Sequence, residues 1–131
     1  RRRFAWGDRL PDCDKIIYAR GLDGACASQD SGPVRANLEL DDRTPEGVLH
    51  LSDNVAEWVL DRFAEYEPCR ETCVNPLVPP TTSTDECVVR GGSADGAAEQ
   101  LRGAARSRWR ANGANRSTGF RCAGALETER R

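Results

Sequence analysis

The sequence predicts one small, loop-rich domain of short strands stapled by disulfides. Its 131 residues suffice for a single hydrophobic core. Seven prolines and 12 glycines, with no long amphipathic repeat, favour short strands and turns over a helical bundle. Six cysteines is a high and even number, which points to disulfides and to an oxidising compartment outside the cytoplasm.

Taken in order, Arg1–Asp8 is an apolar entry with Phe4 and Trp6 alternating, expected to form an edge strand. Leu10–Pro33 reads as loop, with one stiff spot at Ile16-Ile17-Tyr18; Cys13 and Cys26 bracket its polar stretch and make a natural pair. Val34–Gly47 is polar and turn-like, and Val48–Leu51 is a brief apolar run. In Ser52–Tyr66 the residues Val55, Trp58, Val59, Arg62, Phe63 and Tyr66 follow helical spacing, and Asn54 with Glu57 fits a capping box. Pro68–Glu86 is a Pro/Thr/Ser loop pinned by cysteines. Cys87 stands where a bond to Cys73 or Cys69 would close it, with Cys73–Cys87 the pairing expected. Cys87–Arg90, Gly103–Trp109 and Gly119–Ala123 read as three short strands of a closing sheet, and residues 124–131 as a charged, frayed tail. No linker divides the chain, so residues 1–131 are expected to form a single, partial domain.

Several function classes are disfavoured. No apolar run approaches the roughly 18 residues of a membrane span. The net charge of −2 gives no global attraction to nucleic acid. The C-terminal third is rich in arginine (Arg102, Arg106, Arg108, Arg110, Arg116, Arg121) and the middle in acids, and the two are expected to pair. Only Trp109 is interleaved with the basic residues, too few aromatics for a base-stacking surface. Cys69 and Cys73 lack the second close pair that a zinc site needs, and His50 is the only histidine. Asn115-Arg116-Ser117 fits a glycosylation acceptor. With no methionine and a start at Arg1-Arg2-Arg3-Phe4, the chain reads as part of a longer or processed protein, its targeting sequence upstream.

The most distinctive text is Val88–Arg121, which contains Arg90-Gly91-Gly92-Ser93, then Ala104-Ala105-Arg106-Ser107, then Thr118-Gly119-Phe120-Arg121-Cys122. With Phe4-Ala5-Trp6-Gly7 and Asp53-Asn54-Val55-Ala56-Glu57-Trp58, it resembles the C-terminal half of the formylglycine-generating enzyme family, the sulfatase-modifying factor domain. That family's text runs roughly F-P-W-G, G-N-V-W-E-W, R-V-x-R-G-G-S-W, A-x-R and G-F-R, so the resemblance covers about Phe4–Ala123. It implies an α+β, C-type-lectin-like fold with short strands, long loops and little regular secondary structure. It also implies an extended Asn54–Val59 and leaves Leu60–Tyr66 open.

The resemblance carries implications for sites. Sulfatase-activating members hold copper with two cysteines between R-G-G-S and A-A-R; Ala94–Arg102 contains none, so copper-dependent oxidation is not expected. Ser93 matches a serine that lines the family's active site, but without thiolates or a base it is no nucleophile. One structural calcium site of the family maps to His50, Asp53, Val55 and Glu57. His50 stands there in place of an oxygen donor, so at most one weakened calcium ion is expected. Iron-dependent relatives keep their histidines in another domain, and His50 alone cannot supply such a centre. Arg90, Arg106 and Arg121 match the family's motif arginines and are expected in hydrogen-bonded ion pairs. In disulfide-containing members the cysteine matching Cys122 pairs with one in the N-terminal half.

The expected function is a non-catalytic ligand- or partner-binding module of an exported protein. Its partner is a protein or a small ligand, with Arg102, Arg108, Trp109 and Arg110 dominating the contacts. Two alternatives stand beside it. One is the C-terminal half of a family enzyme whose ligands come from an upstream half-domain or a partner chain. The other is a retroelement-diversified lectin-like binding protein, with Ala94–Thr118 as the varied region.

Overall fold

The computed structural model describes residues 2–21, 23–38, 40–66, 68 and 76–124. Its regular structure is four short strands and one turn of 3-10 helix: β1 (Ala56–Arg62), β2 (Glu86–Arg90), the helix Ala98–Leu101, β3 (Ser107–Arg110) and β4 (Thr118–Gly119). They form one mixed sheet in the order β3-β2-β1-β4. β2 runs antiparallel to both β1 and β3, while β4 joins the outer edge of β1 in parallel.

β2 is central because Cys87, Val88 and Val89 are buried on both faces, as a β-branched run between two neighbours should be. β1 explains the helical-looking spacing of Ser52–Tyr66. Trp58 pairs with Val89 and Arg62 with Cys87, so β1 gains residues relative to β2 between those points. Such a bulge interrupts the period-2 alternation that marks a strand in sequence. The segment is therefore extended through Arg62, and the helical periodicity is not realised.

The expected edge strand at Phe4–Trp6 is instead a tight turn. Phe4 and Gly7 exchange backbone hydrogen bonds of 2.9 and 3.2 Å, and Gly7 takes φ +126°, which suits glycine. The turn stacks the Phe4 and Trp6 rings, with centroids 4.7 Å apart.

Most of the core lies in loops. Phe4, Ile16, Tyr18, Ala19, Cys26 and Leu101 form the main buried cluster, and none belongs to the sheet. The Ile16-Ile17-Tyr18 segment crosses the interior and has its backbone satisfied by other loops. Ile17 accepts from Asn54 N–H at 3.1 Å, Ala19 donates to Gly96 and Arg20 to Ala94. The Cys13–Cys26 disulfide closes this loop, with Cα atoms 5.3 Å apart and Cys26 fully buried. Closing a loop of that length contributes about 3 kcal/mol by restricting the unfolded chain. Cys87 is buried in β2 and Cys122 is exposed. Cys69 and Cys73 lie outside the described residues, and with them the expected Cys73–Cys87 bond; residues 125–131 of the expected frayed tail lie outside as well.

Candidate ligand-binding site

Ser93 is delivered to its position by the two glycines before it. Gly91 leaves β2 at φ +76°, and a Cβ on it would stand 3.0 Å from the Leu51 carbonyl oxygen. A Cβ on Gly92 would stand 2.7 Å from Leu101 Cδ2 and 3.1 Å from Ser52 O. Both positions therefore need glycine, one for conformation and one for space. Beyond them, Ala94 N–H donates to Asn54 O at 2.8 Å and ties the turn to the loop before β1.

Directly opposed residues in the sheet share a face. Val89 with Ser107, Cys87 with Trp109, and Ala56 with Thr118 therefore lie on one side. On that side a cavity of about 190 Å³ is bounded by Ala56, Val89, Ser107, Trp109 and Thr118 from the sheet, by Ser93 and Gln100 after β2, and by Asn115 and Ser117 before β4. Its lining contains no Cys, His, Asp or Glu side chain. Arg108 contributes to the wall, but its guanidinium lies on the other face, 3.1 Å from Glu86 and stacked over Phe63. The cavity is thus neutral and hydroxyl-rich, with no base to activate Ser93.

The four residues expected to dominate binding are not brought together. Trp109 borders this cavity, while Arg108 and Arg110 occupy the opposite side of β3, opposed to Val88 and Glu86. Arg102 borders a separate cleft of about 710 Å³ with Arg2, Glu46, Glu57 and Arg90. Gln100 carries no mark in the sequence; Ser107 and Thr118 are visible only as flanks of the Ala-Ala-Arg and Gly-Phe-Arg text, and Asn115 and Ser117 only as parts of the glycosylation motif.

Of the residues mapped to calcium, His50, Asp53 and Glu57 are engaged with one another or with the protein. His50 has φ +52° and a buried ring. Its Nε2 lies 2.9 Å from Leu38 O, a pure acceptor, so Nε2 carries a proton. Nδ1 lies 2.7 Å from Asp53 Oδ1, and Asp53 Oδ2 accepts from Ile17 N–H at 2.8 Å. The hydrogen bond to Asp53 pushes the His50 pKa above its ordinary value, which favours an imidazolium donating through both nitrogens. Asp42, absent from the sequence-level candidates, sits beside this pair. Burial first, then the Asp53 charge, raise its pKa to about 7. Its Oδ2 accepts from Ser52 N–H at 2.6 Å, while its buried Oδ1 has no hydrogen-bond partner among the described residues, which a neutral carboxyl tolerates better than a carboxylate. Glu57 turns elsewhere: both its oxygens lie 2.7 Å from Arg121 Nε. As placed, the set does not fit a calcium ion, because Asp53 is hydrogen-bonded to His50 and Ile17 N–H, and Glu57 to Arg121. Among the described residues no group of three or more His, Cys, Asp or Glu side chains is arranged to hold a metal.

The motif arginines serve the scaffold in different ways. Arg121 pairs with Glu57 and also donates to Leu49 O and His50 O, joining β4 to the loop before β1. Arg90 donates to the carbonyls of Gly103 and Ala105 at 3.2 and 2.9 Å, without an acidic partner among the described residues. Arg106 lies over the Tyr66 and Phe63 rings at 4.1 and 4.7 Å and donates to Ala64 O.

A family model described as the sulfatase-modifying factor enzyme 1-like domain matches residues 1–126. The chain belongs to this family. Among curated proteins no relative matches. Within this sulfatase-modifying-factor domain, Ser93 keeps the serine of the R-G-G-S motif, and the 3-10 helix Ala98–Leu101 occupies part of the cysteine-free stretch that follows. No helix among the described residues is long and apolar enough to cross a membrane.

Proposed function

We propose that this sulfatase-modifying-factor domain is a non-catalytic binding module of an exported protein, and that its ligand enters the cavity beside Ser93. The observation that carries the reading is the lining of that cavity. It gathers Ser, Thr, Asn, Gln and Trp residues from four separate chain segments and includes no Cys, His, Asp or Glu. Such a site can select a ligand by hydrogen bonding and shape, but it offers no activated nucleophile and no soft metal ligand. The scaffold is read as the α+β, C-type-lectin-like architecture implied by the family, supported by few strands, a single helical turn and long stitched loops. Export is supported by the Cys13–Cys26 disulfide, which an oxidising compartment maintains.

Two measurements test this. The purified chain, loaded with Cu(I) and given a cysteine-containing sulfatase peptide under oxygen, should form no aldehyde detectable by hydrazide capture. Backbone amide shifts should, in contrast, show saturable binding at Ser93, Gln100 and Thr118 for at least one chemical class in a panel of neutral, anionic and cationic small molecules. Aldehyde formation, or a panel that never moves those signals, would refute the reading.

A further inference from the structure

We infer that the ligand of the Ser93 cavity is a neutral sugar, held as a single pyranose ring, an inference that rests on the binding-module reading above. Charge is the first argument. The cavity has no acidic or imidazole lining, and its one arginine spends its guanidinium on Glu86 across the sheet. An ionic ligand would lose hydration there and gain no counter-charge.

Hydrogen-bonding capacity is the second argument. Ser117 Oγ is committed to Asp95 at 2.8 Å and Asn115 Oδ1 to Ser117 N–H at 2.8 Å. By contrast Ser93, Ser107, Thr118 and Gln100 border the same cavity, and their side-chain hydroxyls and amide make no hydrogen bonds among the described residues. Hydroxyls and amides each donate and accept. Residues with such groups around a cavity of about 190 Å³ call for a ligand with several groups that also donate and accept within one ring's width. A pyranose has that pattern around its rim. A lone amide or alcohol would leave most of these groups unsatisfied, and unsatisfied groups weaken binding.

The aromatic wall is the third argument. Trp109 remains 49% exposed although it borders the cavity. The turn after β3 sets Gly113 against the indole, so closely that a Cβ there would stand 2.8 Å from both Cδ1 and Nε1. That contact gives one edge of the indole a backbone neighbour before any ligand arrives, and such support lowers the entropy lost on binding. A half-exposed indole beside Ser and Thr residues matches a ligand with one C–H face and a polar rim, which describes a pyranose.

The test uses the full chain and a panel of methyl glycopyranosides of gluco, galacto and manno configuration, titrated while observing backbone amide and indole N–H shifts. N-acetylglutamine methylamide serves as a neutral non-sugar probe and phenyl sulfate as an anionic one. At least one glycoside should shift the Trp109 indole and the Ser93, Gln100 and Thr118 amides saturably. Trp109→Ala should weaken that binding at least about tenfold and Thr118→Val by about three- to tenfold, while Leu10→Ser, far out on the surface, should leave it unchanged. Retained amide dispersion in each variant shows that the fold survives, and Thr118→Val keeps the side-chain shape should Trp109→Ala unfold. If the amide or the sulfate binds there and no glycoside does, the sugar is refuted while the binding module stands. If no probe moves these signals the sugar is refuted, and the binding module falls with it once cationic molecules also fail. Glycoside shifts elsewhere on the chain, indifferent to both variants, also refute the sugar site.

Discussion

His50 Nδ1 lies 2.7 Å from Asp53 Oδ1, and both side chains are almost fully buried. The contact joins a residue in a left-handed turn to one whose other oxygen holds the backbone of Ile17 in the core. Through Leu38 O on the second ring nitrogen, this imidazole ties three loops that have no sheet to order them. Asp42 completes the cluster, its carboxyl pKa pushed up to about 7 first by burial and then by the Asp53 charge.

A stability profile that favours mild acid follows from this cluster. Asp42 has a folded pKa raised from 3.8 to about 7, so its contribution is present below 3.8 and is lost as pH rises towards 7. His50 is also raised, so its contribution is complete below 6.5 and disappears as pH climbs through its higher folded value. Both slopes have the same sign. Asp85 opposes them only in stronger acid, because its lowered pKa stabilises above 3.8 and is lost as pH falls. Denaturant melts should therefore show a midpoint higher near about pH 5 than near about pH 8, a difference on the order of a few kcal/mol. Asp42→Asn should flatten the part of that slope below about pH 7; an unchanged slope would remove Asp42 as its source.

Arg121 and Glu57 should behave as one unit. The guanidinium reaches both carboxylate oxygens and two carbonyls, but the Arg121 side chain is 38% exposed, so solvent screens part of the interaction. Arg121→Ala is expected to destabilise by about 2 kcal/mol, below the range for a fully buried pair. Arg121→Lys should recover only part of this, since one ammonium cannot serve the carboxylate and both carbonyls. A double-mutant cycle with Glu57→Gln in urea checks the coupling; additive effects would show that the two act independently.

Calcium should leave the chain's melting temperature unchanged, as should its removal by a chelator. Asp53 already faces His50, and Glu57 already faces Arg121. A ligand that binds only the folded state raises stability with concentration. A melting temperature that climbs with calcium would therefore demonstrate a site and require these side chains to exchange partners.

Gly92→Ala should destabilise by about 1–3 kcal/mol through overpacking. The added methyl meets Leu101, fully buried in the main cluster, and the Ser52 carbonyl, which accepts the Gly92 N–H at 2.7 Å. Urea unfolding measures the loss, and perturbed Ser93 and Ala94 amides should accompany it. Wild-type stability would mean that the turn has slack the packing does not reveal.

Family membership, the loop-rich class, the Cys13–Cys26 pair and the strand at Cys87–Arg90 were legible from the sequence, because each rests on local text: ordered motifs, glycine and proline frequency, cysteine spacing, a β-branched run. β1 was not readable from periodicity, since its bulge breaks the alternation that identifies a strand. Nor was the site. Trp109 stood out by residue type, yet the faces of β3 separate it from Arg108 and Arg110, and strand pairing decides those faces. Gln100 carries no local signal, Ser107 and Thr118 only flank motif text, and the three meet because β2, β3 and β4 flank or extend one sheet around Ala56. The sequence by itself determined which family text this chain carries and that the stretch after Ser93 has no thiols. Only the tertiary structure decided which polar groups share a cavity and which charges cancel, because both depend on contacts between residues far apart along the chain.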